Sequence, residues 1–130
     1  ASVAWFGSLG IAARALSVDG WLGPEHLSPA FYAEQQRLAP FGMGNPAPRW
    51  GLRRVAVRRA QPVGAGGEHL QVVFGLDSGT TVRGVWFRSG AWAGTVREGA
   101  RFDVVFELAQ NEFGGERSVE LRMVDMAPVP

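Results

Sequence analysis

The chain has 130 residues, enough for one compact core that buries roughly two-thirds of the surface exposed by an unfolded chain of this size. Hydrophobic residues make up 46% and charged residues 19%, and no apolar stretch reaches the ~20 residues of a membrane span, so the expectation is a soluble globular chain. All 13 basic residues are Arg, Cys is absent, and His26 and His69 are the two histidines, which rules out disulfides, thiolate nucleophiles, Cys-based zinc sites and multi-histidine metal sites.

The net charge of +1 is unevenly distributed. Between Glu34 and Glu68 there is no acid, yet the interval holds Arg37, Arg49, Arg53, Arg54, Arg58 and Arg59. From Glu98 to Asp125 the acids outnumber Arg101, Arg117 and Arg122. This pattern reads either as a basic face opposed to an acidic one or as a solvated surface with cross-strand ion pairs. No basic region precedes an apolar one at the N-terminus, which makes a cytoplasmic location the expectation. With 18 Gly and 8 Pro the chain is rich in turns, and a helical bundle is disfavoured.

Residues 1–26 form an apolar lead-in that is too short for a core of its own. Trp5, Phe6, Leu9, Ile11, Leu16, Trp21 and Leu22, with Phe31 and Leu38 beyond them, are too many apolar groups to leave in water. The segment is therefore expected to pack on the barrel formed by the rest of the chain. Ser28-Pro29 joins a capping hydroxyl to a Pro at the first helical position, predicting a helix to about residue 39, before Pro40. PFGMGNPAP, residues 40–48, is an extended or turning connection that completes a unit over 27–48.

From residue 49 to 130 the period is two, the mark of half-buried strands. In RRVAVRR, Val55 and Val57 face inward with Arg54, Ala56 and Arg58 outward, while Arg53 and Arg59 share the valine parity and are assigned to strand ends. A second strand, about 68–76, places Leu70, Val72 and Phe74 on one face. After the turn Asp77-Ser78-Gly79, TTVRGVWFR sets Val82 and Trp86 against Arg83, Val85 and Phe87. Phe102, Val104, Phe106 and Leu108 define a fourth strand, and Val119, Leu121 and Met123 a fifth. Five strands of roughly five to nine residues, with one longer connection between the third and fourth, predict an all-β, five-stranded OB-type Greek-key barrel carrying the N-terminal helix and apolar segment. An SH3-like barrel or a small sandwich is the other architecture that the strand count allows.

Three ordered segments resemble a known family. LAPFGMGNPAPRW, residues 38–50, resembles the signature Leu-x-Pro-Phe-Gly-x-Gly-Asn-Pro-x-Pro that opens the OB domain of the RecJ single-strand-specific exonucleases. GGEHLQVVF, residues 66–74, is similar to that domain's second strand, and ELAQNEFGGERSVELRMVD, residues 107–125, to its last hairpin, with Asn111, Gly115, Arg117 and Leu121 in the family's places. The resemblance covers about residues 27–126. It does not extend to the Asp-His-His and further Asp motifs with which the family holds two divalent metals, Mn or Mg, because the chain contains none of them. The implied reading is a non-catalytic accessory domain, or a stand-alone relative of one, with no cofactor of its own. Its implied partners are single-stranded DNA and metal-dependent nuclease domains, in the service of DNA repair and recombination. Neither a membrane nor a small-molecule substrate is expected.

OB-type barrels bind oligonucleotides across strands two and three, between the loops that join strands one to two and four to five. Those loops correspond to residues 62–68 and 110–116. Candidate contacts are Arg54 and Arg58, outward on the first strand, Arg83 on the third, and the aromatics Trp86, Phe87, Trp92 and Phe113 as stacking platforms. His69 either donates to a phosphate or bonds to backbone; Asn111 and Arg117, at the entrance and exit of the last hairpin, either contact nucleic acid or shape the turn. No Ser-His-Asp set, phosphate-binding loop or zinc signature is present, so no catalytic or metal residue is assigned. A competing reading is a protein-interaction or interdomain barrel whose Arg-rich face docks on protein.

Overall fold

A computed structural model describes residues 3–5 and 16–129, with side chains from residue 17 onward. The strands are β1 (Val3–Trp5), β2 (Leu16–Val18), β3 (Gly20–Trp21), β4 (Trp50–Val63), β5 (His69–Gly75), β6 (Thr81–Trp86), β7 (Arg101–Phe113) and β8 (Glu116–Pro128), with one helix, α1 (Pro29–Gln36). Short 3-10 turns lie at Pro24–His26, Ala65–Gly67 and Gly90–Gly94. β1 and β2 pair as an antiparallel ribbon. The other strands make one sheet in the order β3-β4-β5-β6-β8-β7, and antiparallel pairing of β4 with β7 closes it. β6 and β8 are parallel, while the other barrel pairs are antiparallel. This is the five-stranded Greek-key barrel of the OB fold.

Alternation along each strand fills the barrel. Leu70, Val72 and Phe74 of β5, Val104 and Phe106 of β7, and Leu121 and Met126 of β8 are completely buried. Strand lengths differ from the sequence reading. β4, β7 and β8 run to 14, 13 and 13 residues, because β7 and β8 stay paired out to Phe113 and Glu116 and β4 bends from one partner to another. The first half of β4 pairs with β7 and the second half with β5.

That bend corrects the reading of the arginines on β4. Between Leu52 and Val55 the register with β7 slips, and between Val57 and Arg59 the register with β5 slips. Each slip is a bulge, and an extra residue resets the inward-outward alternation. Arg53, Arg54, Arg58 and Arg59 are consequently all exposed, and Arg53 and Arg59, which the alternation assigned to strand ends, lie instead within β4. Arg54 occupies the left-handed region at φ 54°. Its N–H donates to Asp103 Oδ1 at 2.9 Å, its carbonyl accepts from the Arg101 guanidinium at 2.8 Å, and the other Asp103 oxygen lies 3.5 Å from Arg53.

The N-terminal cover packs from one side. Ser28 Oγ accepts from the Phe31 N–H, and Pro29 fills the first position of α1. The buried Gln35 joins the helix to the barrel: its Oε1 accepts from Trp50 Nε1 at 2.8 Å and its Nε2 donates to the Leu108 carbonyl at 3.3 Å. Leu22, Leu27, Phe31 and Tyr32 pack on the core. Trp21 joins Val18 and Val105 in a smaller cluster, and the Arg53 guanidinium lies 3.8 Å over its ring. Leu38 departs from the expectation: it is 59% exposed, beyond the end of the helix. Phe6, Leu9 and Ile11, and the side chains of Trp5 and Leu16, lie outside the described residues.

Candidate nucleic-acid interface

The outer surface of β5 and β6 is assembled by register. Directly opposed residues share a face. Arg59 faces Val73, Val73 faces Arg83, and Arg83 faces Glu120, giving one row across β4, β5, β6 and β8. The next row is Gln61, Gln71, Val85 and Arg122. Neighbouring strands lie about 4.8 Å apart, so Arg59 and Arg83, two strands apart, are separated by roughly 10 Å. The inward neighbours Val72, Phe74, Val82 and Trp86 are buried, which fixes these rows as outward.

Exposed aromatic rings stand at both margins of the rows. Phe87, just past β6, is 56% exposed, and Phe113, at the turn between β7 and β8, is 89% exposed. The hairpin that carries Phe113 turns on Gly114 and Gly115, both at positive φ, a conformation that glycine adopts without strain. A groove of about 710 Å³ beside it is lined by Thr81, Arg83, Asn111, Phe113, Ser118 and Val119, among others.

The expected site residues distribute unevenly over this surface. Arg83 lies on it, with Nη2 at 2.8 Å from Glu120 Oε2, and its side chain remains about half exposed. Asn111 does not start the turn. It pairs with Ser118 inside the hairpin, and its amide bonds to Glu120, the carboxylate that also holds Arg83. Arg117 is exposed opposite Glu112. Trp86 is buried at 4% and lies parallel to Trp92, centroids 6.4 Å apart, so these rings seal the core under the 3-10 turn and Trp86 offers no face to a base. His69 is occupied at both nitrogens: Nδ1 accepts from the Arg88 N–H at 2.9 Å, and Nε2 lies 3.2 Å from Glu68.

Arg54 and Arg58 are exposed but stand outside the two rows. Arg54 belongs to the bulge bonded to Asp103, and Arg58 lies across Gly75, where any Cβ would collide with its guanidinium stem. The residues that the sequence reading missed are Arg59, Gln61, Gln71 and Arg122. Two consecutive arginines inside a strand were the available signal, because both can be solvated only where a bulge breaks the alternation.

Among the described residues no group of three His, Asp or Glu side chains is arranged to hold a metal ion, and no helix is long and apolar enough to cross a membrane. The chain is similar to the single-stranded-DNA-specific exonuclease RecJ of Bacillus subtilis (strain 168), with 27% identity over 110 residues. That alignment takes in 85% of this chain and 14% of the relative, so the chain spans about one-seventh of the relative's length. A family model for the RecJ OB domain matches residues 18–125, from the end of β2 through most of β8. With the barrel closure and the PFGMGNPAP connection in place, this match establishes that the chain belongs to the RecJ OB domain family.

Proposed function

We propose that the chain binds single-stranded DNA across the outer face of β5 and β6. The observation that carries this reading is the pair of exposed rings, Phe87 and Phe113, bracketing rows that contain Arg59, Arg83 and Arg122. The guanidinium groups neutralise phosphates, and the rings offer faces on which unpaired bases stack. The curated relative is a single-stranded-DNA-specific exonuclease, and in such a polypeptide the barrel holds the strand for a metal-dependent nuclease core that carries Mn or Mg. The chain itself is then non-catalytic, and its work belongs to DNA repair and recombination in the cytoplasm.

Titration with a single-stranded oligonucleotide of about ten nucleotides tests the reading. Binding should be weak, tighter than to duplex of equal length, and salt-dependent with a logarithmic slope near −2 if about three phosphates are neutralised. Arg59→Ala with Arg83→Ala should make the slope shallower, whereas Phe113→Ala should weaken binding by roughly five- to 150-fold and leave the slope nearly unchanged. Absence of single-strand binding at low salt rejects the reading. A second reading, docking on protein, is favoured by the connection after α1. There Gly42 and Asn45 exchange backbone hydrogen bonds and the Asn45 amide donates to the carbonyls of Leu38 and Pro40, so the turn is braced while Leu38 and Met43 face solvent.

A further inference from the structure

Phe87 is held by a strap. It precedes Arg88, whose φ of 60° lies in the left-handed region that a non-glycine residue occupies only when its surroundings enforce it. The enforcing contact is the hydrogen bond from the Arg88 N–H to His69 Nδ1, at 2.9 Å. The imidazole in turn packs edge-on against the Phe87 ring, centroids 5.1 Å apart and planes at 80°. Gly64 leaves room for this imidazole, since a Cβ there would come within 3.1 Å of His69 Cδ2. Because Nδ1 accepts, it carries no proton; the proton of the neutral ring sits on Nε2, which faces Glu68 Oε1 at 3.2 Å.

We propose that His69 is a positioning residue for Phe87, holding that ring as a stacking platform through the acceptor at Nδ1, and that protonation of His69 releases it. The proposal rests on the single-strand reading above. A second proton on the ring places an N–H against the N–H of Arg88 and breaks the strap. Glu68, from the loop after β4, faces the ring with its carboxylate at Nε2, while Arg88 meets Nδ1 through its backbone N–H. Val63, its partner on β4, is apolar. A direct contact between His69 and a phosphate has the opposite sign, since the imidazolium attracts the anion and binding tightens as the pH falls.

The test compares the full chain with His69→Asn, His69→Leu and Phe87→Ala, each titrated with a thymidine oligonucleotide of about ten nucleotides at pH of about 8 and about 5.5, a span across imidazole protonation. Asn keeps an oxygen acceptor near the position of Nδ1 at both values, and Leu keeps none. Wild-type binding should weaken about two- to tenfold at the lower pH relative to His69→Asn, and His69→Leu should be weak at both. The pH effect should vanish in Phe87→Ala. Binding that tightens at low pH only when His69 is present overturns the proposal in favour of phosphate contact, and wild-type affinity in His69→Leu overturns it as well. Hydrogen exchange without DNA reads the strap separately. The Arg88 amide should be protected in wild type and His69→Asn and unprotected in His69→Leu, and equal exchange in all three contradicts the strap. Protection in that order with no single-strand binding by any variant rejects the binding reading and, with it, the role assigned to His69.

Discussion

Gln35 shows how one polar side chain decides the attachment of an element. It is buried, yet it accepts from Trp50 Nε1 and donates to the Leu108 carbonyl, so replacing it by an apolar residue of similar size strands two partners in a dry contact. Gln35→Leu should lower the unfolding free energy by about 1–3 kcal/mol, read by urea titration. Unchanged stability would mean that water replaces both bonds. Gly90 makes a comparable case with backbone alone. A Cβ at that position would collide with the Gly67 carbonyl, where the loop after β4 meets the segment after β6 and the Gly90 N–H donates to the Glu68 carbonyl. Gly90→Ala should therefore cost about 2–3 kcal/mol and loosen the loop beside His69, measured by thermal unfolding and by exchange of the Gly90 amide.

At the scale of elements, the bulges on β4 explain both the curvature of the barrel and the placement of its charge. A regular β4 would turn one arginine of each pair toward the core, and neither the valine layers nor the barrel interior could accommodate a guanidinium. Asp103, reaching over from β7, stabilises the first bulge by accepting from Arg54 and facing Arg53. Asp103→Ala should destabilise by about 1–2 kcal/mol, because the Arg54 N–H loses its partner while its left-handed backbone remains. Equal stability of that variant and wild type in urea titration would show that the bulge holds without Asp103. The sequence contains RRVAVRR but not the identity of the residue opposite, so alternation alone left Arg53 and Arg59 on the valine parity and assigned them to strand ends, whereas both lie inside β4 and face solvent. Long-range pairing resets the parity. By contrast, the start of α1 was legible from Ser28-Pro29, because a cap and a Pro at the first helical position act within one turn of chain.

For the molecule as a whole, the alternating residues of β5, β6, β7 and β8 were enough to read the barrel, since burial of one face with a period of two leaves few alternatives. The short parallel strand β3 was not legible, because two residues carry no period and their place is set by Trp21 lying against Gly51. The candidate interface was legible in part. Phe113 followed from loop position, whereas parity set Phe87 opposite Trp86 without deciding which faces solvent; Trp92, folding over Trp86 from the 3-10 turn, decides it. Binding of a single strand by the β5–β6 face is best decided by amide chemical-shift mapping during titration with a thymidine oligonucleotide. Shifts should concentrate at 59–63, 69–75, 81–88 and around Phe113, with the turn at residues 38–48 unmoved. Shifts confined to residues 38–48 and α1, or none at oligonucleotide concentrations near millimolar and low salt, would contradict binding at this face.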